Sequence, residues 1–196
     1  MNQIKFVAYL LRHIVSVVLV LFLVIFSIGE NPALAKNTAV ITSVGQSPEA
    51  FSLNILARRA KLAVDYDNRI TAEKVKDYKT VVMVCGASLK GFGAAGVNLD
   101  TEIKRGHAIA KTAKGNGVFL VVAHTGGEGR REDMTNAILK VLAPMADYLL
   151  VMKSSNKDGY FTNIAKKKNI PLSVSEKMFD LPKILRLFVI LFWHLY

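Results

Sequence analysis

The chain has 196 residues, 52% of them hydrophobic, and a formal net charge of +11. That apolar content, without any low-complexity run, excludes a disordered chain, and a single cysteine excludes a disulfide framework. The basic balance points to anionic partners but not to nucleic acid, because the lysines and arginines are scattered and form no stripe with interleaved aromatics.

Residues 1–13 carry Lys5, Arg12 and His13, residues 14–28 form an uncharged apolar run, and Ala33-Leu34-Ala35 has the small-x-small form. This order reads as a secretory signal peptide over residues 1–35, cleaved after Ala35, and implies an exported protein. The alternative is an uncleaved membrane anchor, for which the run falls short of the roughly 20 apolar residues of a span. Cleavage removes Lys5, Arg12 and Glu30 and leaves 161 residues with a charge of +10, enough for one α/β domain over residues 36–182.

Short β-branched runs then alternate with segments of helical spacing, the pattern of a parallel sheet with crossover helices. Strands are expected at residues 39–43, 62–66, 80–85, 118–123, 148–152 and 172–174. Helix one starts with Ser47 as N-cap and Pro48 in the first turn, and turns Leu53, Leu56, Ala57 and Ala60 inward. A short helix is expected at residues 71–77. Residues 86–99 read as a long Gly-rich loop, after which Asp100 caps a helix ending near Gly115 with Ile103, His107 and Ala110 on its inner face. Further helices are expected at residues 135–143 and 159–169, the last capped by Asp158. The fold class is a three-layer α/β domain with five or six parallel strands, flavodoxin-like or Rossmann-like, in the order 2-1-3-4-5. Residues 184–196 are nearly all apolar, which reads either as a last helix on the sheet or as a contact with a membrane surface.

Four loops gather at the carboxyl edge of such a sheet, where ligands bind. The first holds Gly45, Gln46 and Ser47, and the second holds Ser88, Lys90 and Gly91 among four glycines in 11 residues. Close backbone approach, free helix N–H groups and a lysine suit a phosphate or carboxylate. The third loop holds His124, Gly126, Gly127, Arg130 and Arg131. Its arginines can clamp an anion, and His124, ending a strand, is expected to face the crevice mouth as the sole candidate acid/base. The fourth loop, residues 153–159, forms a rim. Cys85 closes a buried strand and reads as an inert thiol.

Enzyme signatures are missing. There is no G-x-S-x-G elbow and no phosphate-binding P-loop, and no Cys/His set has metal spacing. Gly91-x-Gly93-x-x-Gly96 matches a dinucleotide fingerprint but follows strand three rather than strand one, so no cofactor is expected. The expected function is binding of a small anionic ligand without catalysis. The alternatives are a hydrolase or transferase using His124, and an envelope-associated structural or interaction protein.

The chain resembles a domain-of-unknown-function family of exported bacterial proteins, numbered six-three-zero-five. The resemblance rests on Ile41-Thr42-Ser43-Val44-Gly45-Gln46-Ser47, on Ser88-Leu89-Lys90-Gly91-Phe92-Gly93-Ala94-Ala95-Gly96, on His124-Thr125-Gly126-Gly127-Glu128-Gly129-Arg130-Arg131, and on Ala146-Asp147-Tyr148 with Asp158-Gly159-Tyr160-Phe161. It covers residues 39–176 and implies no assigned activity. Ala87 and Glu132 stand where the family pattern has Gly, and Asn136 where it has Asp. From Phe179 onward the end is unlike the family's amphipathic last helix.

Overall fold

The computed structural model describes residues 38–191. The expected signal peptide, its cleavage point and the last five residues lie outside them. Six strands form one all-parallel sheet: β1 Ala39–Val44, β2 Val64–Tyr66, β3 Thr80–Cys85, β4 Phe119–His124, β5 Tyr148–Met152 and β6 Leu172–Ser175. Their order is β2-β1-β3-β4-β5-β6, the expected order with β6 added at the far edge. The helices are α1 Glu49–Arg59, α2 Ala72–Val75, α3 Leu89–Ala95, α4 Leu99–Gly115, α5 Asp133–Leu142, α6 Tyr160–Lys168 and α7 Leu181–Leu191.

The central strands are buried almost along their whole length and mostly apolar, because both faces are covered. Alternate residues separate into two cores. Val40, Val44, Val81, Met83, Leu120, Val122, Leu149 and Val151 pack with Ile109 of α4, Leu139 of α5 and Phe161 of α6. Ala39, Ile41, Val82, Val84, Val121, Ala123 and Leu150 pack with Leu53 of α1 and with Leu181, Leu185 and Phe188 of α7. The result is three layers. The edge strands β2 and β6 span only three and four residues, which limits pairing with other chains. No helix among the described residues is long and apolar enough to cross a membrane.

Several elements depart from expectation. Residues 86–99 are not one loop: Leu89–Ala95 is helical despite Gly91 and Gly93, with the Ser88 side chain accepting from Gly91 N and Gly96 ending the helix at φ 64°. Two caps and a buried Phe92 outweigh the low helix propensity of glycine. Helix α4 is capped by Asn98, in a reciprocal pair with Thr101, rather than by Asp100. Its buried stripe runs Glu102, Gly106, Ile109, Ala110 and Ala113, so His107 lies on the solvent side. On α1 the cap position falls at Pro48, with Ser47 just before it, and β2 begins at Val64 rather than at 62. The apolar segment after Asp180 is a helix on the sheet at least to Val189, which is itself buried.

Candidate functional site

The carboxyl edge is built from backbone first. Between β1 and β3, where the strand order reverses, an open sheet leaves a crevice. Here the two loops are stitched together instead. Gly86 N donates to Val44 O at 3.0 Å, Ser88 N donates to Gly45 O at 2.9 Å, and Gln46 and Ala87 form an antiparallel bridge. Ser88 Oγ is occupied as the cap of α3, while Lys90 points into solvent. Gly91 lies so close to Gln46 that a Cβ there would fall under 3.0 Å from the Gln46 carbonyl oxygen.

The anion expected at Gly45 and Gln46 is supplied by the chain itself. Glu102 is 1% exposed, and its Oε2 accepts from Gly45 N at 2.9 Å and from Gln46 Nε2 at 3.0 Å. Arg105 donates to the same carboxylate from Nε at 2.8 Å and from Nη2 at 2.9 Å, and also donates to the carbonyls of Ile70 and Ser43. Burial pushes the Glu102 carboxyl up, but the hydrogen bonds from Arg105, Gly45 and Gln46 outweigh it and leave the group below its ordinary value. Sequence reading missed this hub. The signal was a glutamate in register with Gly106, Ile109 and Ala113 on the buried stripe of a helix, with a basic partner three residues on.

His124 is the next correction. It is the last residue of β4 rather than the start of a loop, is 1% exposed, and stacks on Phe161 at 6.1 Å and 20°. It does not face a crevice mouth. Nδ1 lies 2.8 Å from Cys85 O, which assigns it the proton, and Nε2 lies 3.4 Å from Gly127 O. Burial, reinforced by the Arg131 charge, holds the imidazole below its ordinary value of 6.5, against the pull of the two carbonyls and Glu49. The unfolded chain therefore binds this proton more readily, so the stability tied to neutral His124 is complete above pH 6.5 and is lost as pH falls toward the lower folded value. Between about pH 7 and 5, the denaturation midpoint should fall more steeply in the wild type than in His124→Asn, which keeps a donor for Cys85 O. Equal slopes in the two proteins would exclude His124 as the titrating group. Cys85 next to it is a buried thiol, pushed up to about 12 by burial.

The two arginines separate. Arg130 Nε donates to Glu49 Oε1 at 2.7 Å and Nη2 donates to Ala87 O at 3.0 Å, tying the β4 loop to the start of α1. Thr125 Oγ1 is buried without a partner among the described residues. Gly126 packs against Arg130 and Glu49, and Gly127 turns at φ 75° beside Ser154.

Arg131 is fixed more firmly. Nε donates to Asn136 Oδ1 at 2.7 Å, Nη1 to Ser155 O at 2.6 Å and Nη2 to Asp158 Oδ2 at 3.1 Å. The guanidinium stacks over Tyr160 at 4.6 Å and Phe161 at 5.2 Å. Asn136 returns a hydrogen bond to Arg131 O at 3.0 Å, which a carboxylate there would lack the proton to make. Asp158 also accepts from Tyr160 N, so it braces the first turn of α6 as well as Arg131.

A cavity of about 150 Å³ opens beside this network, between the loops that follow β4 and β5. It is lined by Glu128, Arg131, Asn136, Ser154, Ser155, Lys157 and Asp158. Of the residues expected at a site, only Arg131 lines it. Gly126, Gly127 and Arg130 belong to the loop at its border, while Gly45, Gln46, Ser47, Ser88, Gly91 and His124 serve the closed β1–β3 junction and its surroundings, and Lys90 is exposed away from both. Lys157 and Asp158, read from sequence as rim and cap, are part of the wall. Among the described residues no group of three or more His, Cys, Asp or Glu is placed to hold a metal.

No curated protein shows significant similarity to the chain. A solved structure similar to it is a GDSL-like lipase from Bacteroides thetaiotaomicron, 15% identical over 74% of this chain and 73% of that one, with a TM-score of 0.35. The model of the family described as "Domain of unknown function (DUF6305)" matches residues 36–188, which takes in the whole sheet, the stitched junction and the walls of the cavity. The chain belongs to that family.

Proposed function

We propose that this is an exported protein that binds a small anionic ligand, a carboxylate or a phosphate, in the cavity between the loops following β4 and β5. The observation that carries the reading is the Arg131 guanidinium at the cavity wall, locked by Asn136, Ser155 and an ion pair with the exposed Asp158 and stacked on Tyr160 and Phe161 before any ligand arrives. A preorganised guanidinium spends little entropy on binding. Lys157 supplies the second charge. Its ion pair with Glu128 spans 2.5 Å, but both side chains are more than 60% exposed, so the pair is weak and a ligand anion can displace Glu128. Export is supported by the order of charge, apolar run and Ala33-Leu34-Ala35 near the start of the sequence.

Catalysis through His124 is the less favoured reading, because both its ring nitrogens are turned to carbonyl oxygens in a buried position. Binding without turnover fits the geometry better. Titration with inorganic phosphate and with succinate at low salt should give saturable binding that raises the melting temperature. Lys157→Ala should weaken it about tenfold, the loss of one charge-assisted hydrogen bond, with the fold intact. Absence of saturation by either anion, or equal affinity in the variant, would exclude the proposal.

A further inference from the structure

We infer that the outer face of α7 and the C-terminal end of α1 form a docking surface for the anionic headgroup layer of a lipid bilayer. The two helices lie side by side on one face of the sheet, and Arg186 Nη2 donates at 2.8 Å to the carbonyl oxygen of Ala60, the residue that ends α1. That bond sets Arg186 beside Arg58, Arg59 and Lys61, all exposed. None of these four cations has an ion pair among the described residues, whereas Lys183 nearby is shared with Asp180. Cations gathered without acidic partners, though the protein has acids elsewhere to pair them, suit an extended anionic surface.

The second observation is apolar. Leu187, next to Arg186, is 50% exposed, and Phe179, just before α7, is 74% exposed. An acidic protein partner needs only the charges. A bilayer surface takes both, with the cations at the phosphates and the apolar side chains at the acyl boundary. The surface is separate from the ligand cavity and does not depend on it.

The test is co-sedimentation of the full chain with vesicles of phosphatidylcholine and phosphatidylglycerol at about 7:3, against vesicles of phosphatidylcholine alone, in about 0.1 M salt. The mixed vesicles should bind at least about tenfold more tightly, and higher salt should remove the difference. Arg58→Gln/Arg59→Gln/Lys61→Gln, which touches exposed side chains only, should abolish the preference, and Leu187→Gln should weaken binding to the mixed vesicles severalfold. Insertion through the apolar residues 14–28 would be the same in the triple variant. Equal binding to both vesicle types, or a triple variant that behaves like the wild type, would overturn the inference.

Discussion

Glu102→Gln should destabilise the protein by about 3 kcal/mol, because it removes one half of a buried ion pair and leaves the other half in place. The carboxylate is the common acceptor for Gly45 N, Gln46 Nε2 and Arg105. The amide that replaces it brings two donors of its own and one oxygen, so Arg105 faces N–H groups as well as an acceptor. Urea denaturation at neutral pH measures the loss as a lower midpoint with an unchanged slope. A drop under about 1 kcal/mol would mean that water takes over the role of the carboxylate. The acid limb gives an independent check. The folded Glu102 group lies below its ordinary value of 4.5, so its contribution is complete above that pH and is lost as pH falls through the lower folded value. In the variant that part of the pH dependence should be missing.

Gly45→Ala should cost about 3 kcal/mol or more, for steric reasons rather than electrostatic ones. Gly45 sits at φ 102°, and a Cβ there would lie under 3.0 Å from the Gly86 carbonyl oxygen and 2.7 Å from Ile138 Cδ1. The backbone oxygen cannot move without breaking the bond from Gly86 N to Val44 O on the same residue. Gly93→Ala is the control. It lies within helix α3 with nothing within 4 Å of the added carbon, so it should stabilise by about 0.5–1 kcal/mol through helix propensity. Thermal denaturation of the two variants should therefore shift in opposite directions. A neutral Gly45→Ala would show that the junction between β1 and β3 is open in solution.

Both variants probe a junction that sequence reading placed correctly and interpreted too simply. Gly45 was legible as a tight turn and Ser47 as the approach to a helix start, since glycine and serine at those positions have few other uses. Spacing also carried the promise of an anion at Gly45. It could not say that the anion is Glu102, 57 residues away along the chain. The helix over Leu89–Ala95 was hidden for a related reason: two glycines argue against a helix locally, and only the cap from Ser88 and the burial of Phe92 reverse that. His124 and Arg131 show the opposite case. Their residue types suggested a reactive, solvent-facing loop. Phe161, Ser155 and Asp158, brought in from the next crossover, turn one into a buried imidazole and the other into a fixed wall of the cavity.

The sequence by itself determined the α/β class, the all-parallel order of the sheet and the edge at which the loops collect. These follow from short-range patterns: β-branched runs of strand length, helical spacing between them, and the handedness that parallel crossovers must obey. Only the tertiary structure decided which loops are open and which are closed. That depends on where a single carboxylate on α4 and a single amide on α5 find their partners across the fold. Such pairings join residues distant in sequence through the unique stacking of three layers, and no local period records them. For this protein they close the crevice between β1 and β3 and leave a cavity beside Arg131.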